Sequence, residues 1–193
     1  ILASALLDET AVFGSDGAAL TGSKTYALSI SSDGVASGFT DSQTDQSIVL
    51  TNNLGVIEGR VGATDGALAF TVSVNGSGDV TLTQMRAVEH TNTGSDDELS
   101  SGMTANVLTL TETIKDGDND TEAKGVDLGS VVKFEDDGPS LTLALKGGAA
   151  VVVDETEGET AAGETDAAGG NLGSTTILAS ALLDETAVFG SDG

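Results

Sequence analysis

The sequence predicts an all-β chain folded as an antiparallel β-sandwich. Three observations carry that reading. Apolar and polar residues alternate in several short runs, turn residues separate those runs at regular intervals, and helical periodicity is nearly absent. In order, Tyr26, Leu28 and Ile30 alternate with polar neighbours in TYALSI (25–30). SIVLT (47–51) and GVIEGRV (55–61) are the next strand candidates. Leu68, Phe70, Val72 and Val74 show the cleanest period of two, in ALAFTVSV (67–74). Asn75-Gly76-Ser77-Gly78-Asp79 then supplies a turn before Val80 and Leu82, which predicts a hairpin. Further strands are expected in NVLTLTETI (106–114), VDLGSVVKF (126–134), LTLAL (141–145) and AVVV (150–153). Helix is expected only as a single turn after Ser95-Asp96-Asp97-Glu98, which has capping-box spacing, while ILASALL (1–7) suits a short helix or a strand. Residues 154–176, rich in Gly, Ala and acids, read as a long mobile loop.

Composition narrows the function. The chain has 193 residues, 31 acidic against 7 basic, a net charge of −24 and no cysteine. Seven scattered cations cannot build a nucleic-acid surface, which works by displacing phosphate counterions. The absence of cysteine excludes a disulfide scaffold, a zinc finger and a thiol enzyme. No apolar run reaches the roughly 18 residues of a membrane span, and no signal peptide is visible. The chain opens on Ile1 rather than Met, as a piece of a longer protein would. With 38% hydrophobic residues but few aromatics, a core is expected that rests on aliphatic side chains. A compact state this acidic repels itself unless it is solvated in the halophilic manner or holds cations where carboxylates cluster.

An internal repeat frames the chain. Residues 1–17, ILASALLDETAVFGSDG, recur without change at 177–193, a period of 176 residues. Such a period is domain-sized, so a tandem array of near-identical domains is expected rather than a solenoid. Residues 1–139 would form the body of one sandwich repeat and 140–193 the opening of the next. The first 17 residues would then belong to a domain whose first strands lie upstream, its sheet completed by another molecule or by the chain's own C-terminal segment.

The carboxylates gather in three places. Asp116, Asp118 and Asp120 alternate in DGDND, a spacing that can wrap one hard cation in oxygens. The later positions of an EF-hand loop are missing, so the reading is a calcium-binding loop between strands, weighed against a plain solvated turn. Asp136 and Asp137 stand in FEDDGPS, beside Pro139, the only proline. Adjacent side chains on an extended chain point apart, so a junction site needs further oxygens, for which Asp154 and Glu155 in VVVDET are candidates.

DGDND, FEDDGPS and VDET, with YALSI, AFTVSVNGSGDVTLTQMRAVEH and DDELSS before them, resemble the extender repeats of large RTX (repeats-in-toxin) adhesins exported by type I secretion. The resemblance covers roughly residues 20–140. It implies an immunoglobulin-like or cadherin-like antiparallel sandwich with calcium-binding loops, repeated in tandem and projecting a ligand-binding tip from a bacterial surface. It also implies a calcium role for Asp116, Asp118 and Asp120, a junction role for Asp136 and Asp137, and adjacent repeats of the same chain as partners. The Gly-Gly-x-Gly-x-Asp nonapeptides of that family's secretion region do not occur here, and GGNLG (169–173) is not one.

No enzyme is expected. Paired carboxylates suit glycosidases, but among 31 acids such pairs arise by accident, and no tryptophan offers a sugar platform. His90, at a strand end, reads as structural. The rival to a spacer is a calcium-dependent binding module of the lectin or ice-binding kind. Thr109, Thr111 and Thr113 alternate in one strand only, too little for a regular threonine face.

Overall fold

The computed structural model describes residues 1–90, 99–153, 164–165 and 174–190. It divides between Gly138 and Pro139 into two compact units. The larger, Ile1–Gly138, is an antiparallel β-sandwich. After a one-turn helix α1 (Ala3–Leu6) come β1 (Lys24–Ile30), β2 (Val35–Asp41), β3 (Gln46–Asn53), β4 (Val56–Val61), β5 (Leu68–Val74), β6 (Val80–Gln84), β7 (Leu108–Lys115) and β8 (Thr121–Asp127). Strands β2 to β6 form a five-stranded meander, and β1-β7-β8 form the second sheet.

Alternation explains the core. Ile48, Leu50, Ile57, Phe70 and Val72 from the meander are fully buried, as are Leu108 and Leu110 of β7. The core is chiefly aliphatic, as composition leads one to expect, with one aromatic group added at its centre. Phe39, Phe70 and Phe134 form one aromatic group, with ring centroids 5.0 to 6.0 Å apart and mainly edge-to-face. Few aromatics suffice when three of them meet. Gly59 lies opposite Phe70 across β4 and β5, and a Cβ there would run into the ring. Two of the buried polar side chains, Ser37 and Asp41, are matched by hydrogen bonds. Ser37 donates to the Ile48 carbonyl, and Asp41 accepts two hydrogen bonds from the Arg86 guanidinium at 2.7 and 2.9 Å.

Two expected strands are absent. VDLGSVVKF contributes only its first two residues, to the end of β8. There the Asp127 carboxylate accepts the Gly129 N–H, and the N–H groups of Val131 and Val132 both turn back to the Leu128 carbonyl. Leu128, Val132 and Phe134 are buried from a turn, so their apolar character signalled burial without alternation. AVVV (150–153) follows a turn closed by Ala149 N–H on Lys146 and has no ladder partner among the described residues. Two strands of the body carried no usable signal. β2 contains a bulge around Gly38, and β8 (TEAKGVD) is exposed at all seven positions.

The smaller unit, Pro139–Phe189, holds β9 (Ser140–Leu145), the two-residue strands β10 (Glu164–Thr165) and β11 (Ser174–Thr175), helix α2 (Ala179–Leu182) and β12 (Leu183–Val188). β9 pairs with β12, and β10 with β11. No described residue of this unit is buried, and Leu141, Leu143 and Leu145 of β9 all stand exposed. The helical turn expected after Ser95, and most of the loop expected over 154–176, lie outside the described residues.

Candidate metal centre

The β7–β8 hairpin turns through DGDND. Asp116 N–H donates to the Asp120 carbonyl at 3.0 Å, Asn119 N–H to the Asp116 carbonyl at 3.2 Å, and Asp120 N–H to Asp116 Oδ1 at 2.8 Å. Asn119 takes the left-handed conformation at φ 78°, which asparagine tolerates better than most residues. These bonds tie the Asp120 backbone into the turn and engage Oδ1 of the half-buried Asp116, while Asp118 stands exposed.

A third carboxylate arrives from 100 residues earlier in the chain. Residues 16–19 run antiparallel to the start of this turn. Ala18 bridges Asp116, Ala19 N–H donates to the Lys115 carbonyl at 3.1 Å, and Gly117 N–H donates to the Gly17 carbonyl at 2.9 Å. Asp118 N–H donates to Asp16 Oδ2 at 3.2 Å. Gly117 permits this approach, since a Cβ there would stand 2.7 Å from the Asp16 carbonyl oxygen. One carboxylate oxygen each from Asp16, Asp116 and Asp118 then falls within 4.8 Å of the others. Asp116 is half-buried and the other two are exposed. Among the described residues no ion pair reaches any of the three. Oxygen-only donors with rim access suit a hard cation such as calcium rather than zinc or copper.

The seven metal candidates read from sequence therefore separate. Asp116 and Asp118 come together, and Asp120 contributes backbone closure but no carboxylate to the group. Asp136 and Asp137 line a different cleft of about 340 Å³, beside Arg86 and His90. The His90 Nδ1 atom is buried there with no hydrogen-bond partner among the described residues. Asp154 and Glu155 lie outside the described residues. Asp16 escaped sequence reasoning because it stands alone among small residues in FGSDG. Its one available signal was its place in the segment that recurs at 177–193.

A family model described as a domain of unknown function, DUF5801, matches residues 3–129. The chain belongs to the DUF5801 family. The DUF5801 match contains the whole of the Asp16, Asp116 and Asp118 group and both sheets of the sandwich, and stops short of Asp136 and Asp137. No curated protein and no solved structure matches the chain.

Proposed function

We propose that this DUF5801 domain is a structural extender repeat of a large bacterial cell-surface adhesin, stiffened by calcium and working outside the cell. The carrying observation is that Asp16, which belongs to the exactly duplicated 17-residue segment, meets Asp116 and Asp118 from the distant β7–β8 turn. A cation held there would staple the repeat's opening segment to its second sheet. It would also relieve the mutual repulsion of three carboxylates that no ion pair reaches among the described residues. No catalytic role is assigned to any residue, and the partners in this reading are neighbouring repeats.

Calcium titration with thermal melting tests the centre. Extracellular calcium modules bind with Kd on the order of 10⁻⁴–10⁻³ M. Calcium is expected to raise the melting temperature of the intact chain over that range. Asp16→Ala and Asp118→Ala are expected to lose that rise while melting normally in chelator. An equal rise in both variants would overturn the assignment.

A further inference from the structure

The duplicated segment has two different fates in one molecule. Its local conformation is the same in both copies. Leu2 and Leu178, which precede the helical turns, have φ −69° and ψ 143° or 141°, and Leu7 and Leu183, which follow them, agree within a few degrees. Beyond that point the copies part. Leu183–Val188 is strand β12, laddered to β9 from Leu183↔Leu145 through Thr186↔Thr142 to Val188↔Ser140. The identical Leu7–Val12 has no ladder partner among the described residues. Instead it forms one wall of a groove of about 430 Å³, whose other wall is the face of β7 and β8 that carries Leu110, Ile114 and Val126 together with Glu112, Glu122 and Lys124.

We infer that this groove is the docking site for the strand Ser140–Leu145 of a second copy of this chain. The register is dictated by the copy that is already paired. Transferred to the first copy, it sets Leu7 opposite Leu145, Glu9 opposite Leu143, Thr10 opposite Thr142 and Ala11 opposite Leu141. Residues directly opposite on an antiparallel pair share a face of the sheet. Leu7 packs against the body's hydrophobic core. Leu141, Leu143 and Leu145 therefore enter the groove together, on the Leu7 side, where Val126 is 43% exposed. In the smaller unit the same three leucines are 65%, 54% and 70% exposed, on a strand with no buried neighbour among that unit's described residues. A one-residue slip would turn all three leucines outwards, so the register is well specified. The β9–β12 pair also supplies an end contact. Lys146 N–H donates to the Leu182 carbonyl and its Nζ to the Ser180 carbonyl, whose counterparts in the body are Leu6 and Ser4.

In a tandem array each repeat would thus lend its Ser140–Leu145 strand to the body that follows, joining neighbours through a shared sandwich rather than a bare linker. The inference rests on the array part of the proposed function and not on calcium.

The chain has no cysteine, so introduced thiols report cleanly. A Thr10→Cys chain is oxidised with a synthetic peptide of residues 139–148 carrying Thr142→Cys, and separately with one carrying Leu143→Cys, each in calcium and in chelator. The first peptide is expected to be captured many-fold more than the second in at least one of the two buffers. The unsubstituted peptide is expected to shift amide resonances of Leu7–Val12 and Val126. Equal capture of both peptides, no capture in either buffer, or shifts confined to Leu183–Val188 would each overturn the inference. Failure in both buffers would sink strand donation, while the calcium melts above would still decide the metal centre separately.

Discussion

Asp41 and Glu112 show how single carboxylates divide the pH dependence of this fold. The Arg86 guanidinium holds the Asp41 carboxyl below its usual range, helped by Thr44 and opposed by burial. Its stabilising contribution is complete above the unfolded value of about 4 and is lost as pH falls through the lower folded value. Arg86→Met is expected to lower the melting temperature at pH 7 by several degrees, with the deficit shrinking towards pH 3. Glu112 behaves in the opposite sense. Burial, then the negative charge of Glu9, pushes its carboxyl up, even though Lys24 lies 3.7 Å away. Its favourable form is the protonated one, complete below the unfolded value and lost as pH rises through the folded value. Its Oε1 also has no hydrogen-bond partner among the described residues. Glu112→Gln is therefore expected to raise the melting temperature at pH 7 and to give little gain below pH 4. Gly117 acts through contact rather than charge. Gly117→Ala is expected to weaken the proposed calcium binding in titration, because a methyl group must push the Asp16 backbone away from the turn.

Among the elements, the central strands of the meander differ from β8 in how they are held. β3, β4 and β5 each have two ladder neighbours and bury Ile48, Leu50, Ile57, Phe70 and Val72. β8 has one neighbour and no buried residue. Hydrogen exchange is expected to be slowest in β3–β5 and fastest in β8 and in the β9–β12 pair. Gly59→Ala is expected to cost about 1–3 kcal/mol in denaturant melts, since the Phe70 ring fills the space a side chain would need. The legibility of each strand follows the same division. β1, β3, β5, β6 and β9 were visible in sequence because one face is apolar and alternates. β2 was hidden by the bulge at Gly38, and β8 by polarity on both faces. VDLGSVVKF misled because Leu128, Val132 and Phe134 are buried at turn spacing. Asp116 and Asp118 were legible as a local motif, whereas Asp16 is brought to them only by a non-local bridge.

At the scale of the whole molecule, stability is concentrated in Ile1–Gly138. Because no described residue of Pro139–Phe189 is buried, a chain ending at Gly138 is expected to keep the main melting transition of the full chain. A chain carrying two full periods is expected to be extended and rod-like in calcium by small-angle scattering and more flexible in chelator. Unchanged dimensions in the two buffers would remove calcium as the stiffening agent.

By itself the sequence determined the all-β class, most strand positions, the acidic turn at Asp116–Asp120 and the duplication of residues 1–17. Alternation, turn chemistry and identity are local properties that a chain carries wherever it goes. Tertiary structure decided what those properties were used for. It added Asp16 to the carboxylate group, sent Asp136 and Asp137 to another cleft, and gathered three phenylalanines into one centre. The plainest case is LDETAV, a ladder strand at 183–188 and, at 7–12, a groove wall with no ladder partner among the described residues. A strand exists only when a partner satisfies its backbone hydrogen bonds, and no sequence, however exactly repeated, contains its own partner.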